Sequence, residues 1–323
     1  MTSLPKTVGR AMSILLMAAA VVAAGATMPL PGTVNYLEGQ VTLNGEPLPE
    51  SAAGQAAVQT NQVLDTAQGM VELLLTPGVV LRVGSSSELR MVAPDAPNIA
   101  FELVKGGAIL EVDQSFKGVT FSVLMDGATV DIAKPGLYFL GADQPGIGVL
   151  AGEAAVYQGS AHLTLKKGHG VFLLAGPRLK SQNLDMYAME NEPLYVWSNM
   201  RSAYLAQANI QAAQAILAGG GLYDAGWYWD AFFDCYAFLP ISGIQYSPFG
   251  WGFSAPGVVA KAPYPIRYPI PIRRPKPTPQ SAALSRAKIG RASSATMARS
   301  GGGSHSGNIG GGGGHMGGGG GHR

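Results

Sequence analysis

The chain has 323 residues, 47% of them hydrophobic and 13% charged, with a formal net charge of +2. Both averages hide a gradient. Fourteen of the 45 glycines fall in residues 301–323, and seven of the 22 prolines in residues 263–279. Such ends bury too little apolar surface to offset their ordering entropy, so the foldable part is roughly residues 30–255, long enough for a full core. From Ala255 to Arg323 there are ten Lys/Arg and no Asp/Glu, and the first 26 residues hold only Lys6 and Arg10 as charges. The ten basic residues left between Thr27 and Ser254 face all 20 acids, so the body is acidic and the tail basic. Asymmetry of this kind reports an interaction arm. A single cysteine, Cys235, excludes an intramolecular disulfide and a CxxC zinc site, and is expected as a small buried hydrophobe.

Residues 1–26 read as a signal peptide. Lys6 and Arg10 precede an apolar run from Ala11 to Ala24, and Ala24-Gly25-Ala26 matches a small-x-small cleavage site, placing the mature start near Thr27. No cysteine follows that run to carry a lipid anchor, and no later stretch is apolar for the ~18 residues a membrane span needs. The expected location is the bacterial periplasm, cell surface or medium.

Residues 27–176 alternate short apolar runs with turn residues. Val34–Leu37 and Gln40–Leu43 are separated by Glu38-Gly39, and Asn44-Gly45 follows. Met70–Leu75 and Val79–Val83 flank Thr76-Pro77-Gly78; Val119–Leu124 and Ala128–Ile132 flank Asp126-Gly127. Leu137–Leu140 follows Lys134-Pro135-Gly136, and His162–Leu165 and Gly170–Leu174 flank Lys166–His169, read as a further hairpin. Asn-Gly and Asp-Gly are strong hairpin signals because tight turns need positive φ. The fold class is mainly β: a sandwich, a roll or a short irregular solenoid. A weak repeat runs through it. Tyr36–Val41, Leu103–Ala108 and Val149–Ala154 each show two apolar residues, a spacer, a glycine, a second spacer and an apolar residue opening the next strand.

These phrases, with Leu74–Gly84, Phe101–Ala108 and Ile147–Ala154, resemble the FecR domain over roughly residues 33–175. The resemblance implies an envelope β-domain. In FecR proteins proper it is joined to a membrane helix and a cytoplasmic arm that relay a transporter signal to a sigma factor. This chain is more similar to stand-alone exported FecR-domain proteins.

Residues 177–221 are read as a linker and one amphipathic helix. Asn191 is the expected cap, with Glu192 and Pro193 in the first turn. Leu194, Trp197, Arg201, Tyr204, Leu205, Ala208 and Ala212 recur at helical spacing up to Gly219-Gly220-Gly221, a stripe expected to dock on the β-domain or on a neighbouring copy. Residues 222–260 form an aromatic-rich segment with 12 of the chain's 26 aromatics, broken by Gly, Pro and Ser into short extended pieces. It is read as a clasp on the rest of the fold, or as a surface for a glycan, a membrane interface or a protein. Residues 261–323 are expected to be a disordered basic tail, Pro-rich and then Gly/His-rich. The partner-binding candidates are Trp227, Tyr228, Trp229, Trp251 and Phe253 in the aromatic segment, and Arg273, Arg274 and Lys276 in the tail.

Enzyme signatures are missing: there is no P-loop, H-E-x-x-H, G-x-S-x-G or EF-hand loop. His162 and His169 flank a turn, and Glu38, Glu153, Asp126 and Asp131 sit at turns or on alternating strands, where solvated faces are expected. His305, His315 and His322 could hold a metal only weakly, because closing a loop of flexible glycine is costly. No catalytic residue, cofactor or specific nucleic acid is expected. The leading reading is a non-enzymatic exported module whose basic tail contacts an envelope protein or anionic polymer. The alternatives are an envelope signalling component sensing a ligand or transporter state, and a glycan-active enzyme.

Overall fold

The computed structural model describes residues 29–113, 118–173 and 178–261. The chain divides into two units, Met1–Ile270 and Pro271–Arg323, and all described residues belong to the first. The signal-peptide reading and the tail beyond Lys261 lie outside the described residues.

In chain order the strands are β1 (Thr33–Glu38), β2 (Thr42–Leu43), β3 (Glu46–Pro47), β4 (Val63–Asp65), β5 (Met70–Leu74), β6 (Val79–Val83), β7 (Glu88–Ala93), β8 (Asn98–Lys105) and β9 (Gly107–Val112). They continue with β10 (Thr120–Met125), β11 (Ala128–Ile132), β12 (Gly136–Gly141), β13 (Gly146–Ala151), β14 (Glu153–Gln158), β15 (Ala161–Lys166), β16 (His169–Phe172) and β17 (Gln182–Asn183). They make two sheets. The first has the order β1-β5-β6-β9-β12-β13-β16-β17, the second β15-β14-β11-β10-β8-β7-β4-β2-β3. One apolar core takes side chains from both: Val71, Leu73, Leu81 and Leu110 from the first, Leu89, Phe101, Val123 and Val156 from the second.

The chain passes back and forth between the sheets, and the sequence repeat marks three of the crossings: β1 to β2, β8 to β9, and β13 to β14. Its glycines, Gly39, Gly106 and Gly152, have φ of +75°, +76° and +93°, a region other residues enter only with strain. Each also lies against other groups: a Cβ would fall 2.5 Å from the Gln68 carbonyl oxygen, 2.6 Å from Ser87 Cα and 2.7 Å from the Pro135 carbonyl oxygen respectively. The apolar residues on either side of the glycine (Leu37 and Val41, Leu103 and Ala108, Val149 and Ala154) all enter the shared core. The repeat is therefore a corner that turns the chain from one sheet to the other while keeping both flanks pointed inward.

Turn chemistry marks three of the hairpins. β5 pairs with β6 around Thr76–Gly78, β10 with β11 around Asp126-Gly127, and β2 with β3 around Asn44-Gly45. The hairpin expected at Lys166–His169 does not form. β15 lies on β14 in the second sheet and β16 on β13 in the first. Gly168 N–H donates to the Val149 carbonyl (2.8 Å), which ties this turn to β13 and makes it another crossing.

Beyond the sheets come α1 (Met186–Glu190) and α2 (Pro193–Ala218). They are followed by β18 (Gly226–Asp230), β19 (Cys235–Leu239), β20 (Ile244–Tyr246), β21 (Gly252–Ser254) and α3 (Pro256–Val259). The helix cap differs from expectation by one residue. Glu192 is the N-cap, with Pro193 in the first turn; Asn191 ends α1, and its side-chain amide donates to the Tyr187 carbonyl (2.7 Å). Nor is α2 amphipathic in the simple sense. Trp197, Ser198, Arg201, Ser202, Ala203, Leu205, Asn209 and Ala213 are all buried, covering much of its circumference. The reason is its surroundings. The hairpins β18–β19 and β20–β21 and the outer face of the first sheet all supply side chains to its environment, among them Leu74, Val80, Trp227, Phe238 and Phe253. No helix of the described residues is long and apolar enough to cross a membrane.

Candidate functional site

The first sheet is covered on both faces, and its outer face carries charge. Alternation sends Val71 and Leu73 of β5 into the core and turns Glu72 outward. Arg82 of β6 and Glu111 of β9 share that face, with Glu72 directly opposite Arg82 in the ladder. Arg82 Nε donates to Glu72 Oε2 (2.9 Å), and Arg82 Nη1 donates to Glu111 Oε2. From above, Arg201 of α2 donates through Nη2 to Glu72 Oε1 (3.0 Å), and the Ser202 hydroxyl to Glu111 Oε1 (2.6 Å). The Arg201 guanidinium also lies over the Tyr36 ring, 4.0 Å from its centroid. Asn35 joins β1 to the aromatic segment: its amide donates to Glu72 Oε1 (3.0 Å) and to the Tyr236 carbonyl (3.2 Å), and its oxygen accepts from Tyr236 N–H (2.7 Å).

Glu72, Arg82, Glu111 and Arg201 are each at most 2% exposed. Burial alone would raise the Glu72 carboxyl, but Arg201 and then Arg82 outweigh it and hold it below its ordinary value. Burial likewise opposes charge on the two arginines, and their glutamate partners reverse that, Glu111 first for Arg82 and Glu72 for Arg201. Asp113, buried at the end of the same strand face, goes the other way. Burial and then the neighbouring Glu111 push it well above the carboxylate range, with Arg82 only partly compensating. Two arginines thus face two glutamates, while burial and Glu111 disfavour the charged form of the third acid.

A second set of polar contacts fixes the hairpins to α2. The Asn209 amide donates to the carbonyls of Phe238 (2.8 Å) and Ser254 (3.1 Å), and its oxygen accepts from Ser254 N–H (2.8 Å). Gln245 donates to the Asp113 carbonyl (2.7 Å), pinning β20 to the end of β9.

The candidates drawn from the sequence are scattered by this arrangement. Trp227 and Phe253, each 2% exposed, flank Phe238 with ring centroids 6.0 Å away, so they are packing residues closed to any partner. Segment alternation alone does not reveal this, because α2 covers the face they occupy. Tyr228 and Trp251 are half-buried; the Tyr228 hydroxyl donates to the Asp224 carbonyl (2.8 Å) and Trp251 Nε1 donates to Asn199 Oδ1 (2.7 Å). Trp229 is exposed, edge-on to Tyr236 at 5.1 Å, with its ring against Gly54. Arg273, Arg274, Lys276, His305, His315 and His322 lie outside the described residues. His162 stacks on Tyr157 at 5.6 Å, while His169 is in the other sheet.

The carboxylates considered for acid–base work are not gathered at one place. Glu38 accepts from the Tyr36 hydroxyl (3.1 Å), Asp131 from the Ser122 hydroxyl (2.6 Å) and Glu153 from Lys134 (2.9 Å). Among the described residues no group of three His, Cys, Asp or Glu could hold a metal ion. Cys235 is buried as expected, and burial pushes its thiol up to about 12. Sequence reading missed the charged network itself. Its signal was present: single charges of opposite sign inside the apolar runs Val71-Glu72-Leu73, Leu81-Arg82-Val83 and Leu110-Glu111-Val112.

No protein-family model and no curated protein matches the chain. Two crystal structures described as a candidate anti-sigma factor from Parabacteroides distasonis ATCC 8503 are similar to part of it, at 17% and 16% identity and TM-scores of 0.34 and 0.35. The match covers 39% of this chain and 60% and 62% of theirs, less than two thirds of their length. Likeness at that level fixes neither the fold nor the activity of this chain.

Proposed function

We propose that the chain is a non-enzymatic regulatory or structural component of a cell envelope: a FecR-like two-sheet sandwich whose basic tail contacts anionic envelope polymers or a protein partner. One observation carries the reading. Four ionisable groups, Glu72, Arg82, Asp113 and Arg201, are buried between the first sheet and its cover. General acids and bases must reach a substrate; these groups instead join layers. The acidic body and basic tail supply the recognition chemistry, since a basic arm near a polyanion gains by releasing counterions.

Binding of the full chain to polyphosphate is expected to weaken steeply with salt. Neutralising three tail charges (R273Q/R274Q/K276Q) is expected to flatten the log–log slope by up to about three. Salt-indifferent binding, or an unchanged slope, overturns the arm. The second reading, a signalling component sensing a ligand or transporter state, is the one the FecR resemblance implies. Crosslinking from Trp229 to an inner-membrane regulator would favour it.

A further inference from the structure

The aromatic segment ends in an exposed apolar surface that the packing of the fold does not use. β20 presents Gln245 inward, to the Asp113 carbonyl, and Ile244 and Tyr246 outward. Three residues before β20, Ile241 is 59% exposed; Tyr246 is 62% exposed. Leu222, just after the glycines that end α2, is 96% exposed. The next residue, Tyr223, ties that connection to the same place, because its hydroxyl donates to the Ile241 carbonyl (2.6 Å). Between these segments lies a shallow groove of about 530 Å³, lined by Tyr223, Ile241, Val258 and Lys261 among others, with no acidic residue in its lining.

Large apolar side chains exposed together on neighbouring loops mark a surface that meets something. Charge chooses the occupant. Asp234 is the last acidic residue of the chain; after it come ten Lys/Arg, the first of them Lys261 on the groove rim. Leucine and isoleucine that enter an acyl boundary, tyrosine at the headgroup level and adjacent basic residues are the combination that holds a protein on an anionic bilayer. Neither part is strong alone: a few apolar side chains give marginal partition, and the attraction of basic residues to an anionic surface falls off within a Debye length. A second copy of the chain also offers an acidic body to the tail; the bilayer is favoured because its headgroup and acyl layers meet the tyrosines, the aliphatic side chains and the basic residues on one continuous surface.

We propose that the surface formed by Leu222, Tyr223, Ile241, Ile244 and Tyr246 docks on an anionic phospholipid bilayer, with Lys261 and the basic chain after it supplying the electrostatic half. This rests on the envelope-binding reading above and names the polyanion as a lipid surface. The test is flotation of the mature full-length chain with vesicles of phosphatidylcholine alone and of phosphatidylcholine with phosphatidylglycerol at 7:3. The chain is expected to float with the anionic vesicles and much less with the neutral ones. L222S/I241S/Y246S, whose side chains are exposed, is expected to keep the thermal midpoint and lose at least tenfold in partition. R273Q/R274Q/K276Q is expected to lose partition at low salt.

Partition unaffected by the serine variant overturns the proposal, as does absence of flotation with anionic vesicles. Sedimentation gives a separate readout: a wild-type dimer that the serine variant dissociates, without vesicle binding, would assign the surface to a second copy. If polyphosphate binding persists while flotation fails, the lipid proposal falls and the basic-arm reading stands.

Discussion

The two sheets share one core, yet they are written differently in the sequence. In the first, β5, β6 and β9 read Met-Val-Glu-Leu-Leu, Val-Val-Leu-Arg-Val and Gly-Ala-Ile-Leu-Glu-Val, and nearly every position is buried. In the second, β7, β8 and β10 alternate buried with exposed or half-exposed positions. A sheet with solvent on one face shows period two, while one covered on both faces reads as a continuous apolar run. The difference teaches where a charged residue is informative. A charge on the second sheet is ordinary, whereas one in the first must have a buried partner, because an unpaired ion there is very costly.

The sharpest way to break that contrast is to remove Arg82. R82A leaves Glu72 and Glu111 facing each other on one buried face, with Arg201 alone above Glu72. Removing one partner of a buried ion pair costs about 3–5 kcal/mol, and urea denaturation of the full chain is expected to show a loss of that size. A loss under about 1 kcal/mol would mean that the outer face is wet and that α2 and its hairpins do not seal it.

The next largest effect is expected at a corner between the sheets. G106A places a side chain at φ +76° with its Cβ 2.6 Å from Ser87 Cα, a backbone neighbour that cannot rotate away. Left-handed strain and the clash together should cost about 2–3 kcal/mol. G159A, in the β14–β15 turn at φ +56°, meets nothing within 4 Å and should cost about 1 kcal/mol. Equal losses at the two sites would show that the repeat glycines serve only as turns.

Much of this was legible in the residues. Turn chemistry marks three hairpins, and the glycine repeat marks three of the corners. The crossings themselves are not legible: Lys166–His169 has the composition of a hairpin turn, and it is pairing with the distant β13, begun by the bond from Gly168 to Val149, that places the next strand in the first sheet. The aromatic segment reads as extended pieces that could clasp the fold. Which of its rings face inward depended on α2, a distant segment, so Trp227 and Phe253 resembled Trp229 until the layers were assembled. Arg201 was visible only as an interruption of an apolar stripe. Its partner Glu72 lies 129 residues away, beyond the reach of any local pattern.

A smaller and opposite effect is expected from D113N. The Asp113 carboxyl is raised in the fold by burial and by Glu111, so the folded chain binds a proton that the unfolded chain releases. Stability from such a group is complete below the unfolded value, about 4, and is lost as pH rises toward the folded value. Asparagine keeps the shape and a donor without titrating. D113N should therefore match the wild type near pH 4 and become the more stable protein as pH rises toward neutrality. Glu72 acts in the reverse sense: its carboxyl is depressed, so its contribution is present at neutral pH and lost as pH falls below the ordinary carboxylate range. Thermal midpoints of both proteins from pH 4 to 8 check this, and parallel curves would place Asp113 in contact with water.

The smallest effect belongs to the outer face of the second sheet and completes the contrast. Arg90 and Glu102 sit opposite each other on β7 and β8, with Arg90 Nη2 3.4 Å from Glu102 Oε2 and their side chains 45% and 35% exposed. The formal chemistry matches that of Arg82 and Glu72, but water screens the charges, and neither is stranded when its partner is removed. E102Q should change stability by less than about 0.5 kcal/mol, and the difference should shrink as salt is added. The same guanidinium–carboxylate pair would then differ several-fold in effect between two sheets of one molecule, by virtue of what lies above each. A large, salt-independent loss from E102Q would mean instead that the second sheet's outer face is also covered.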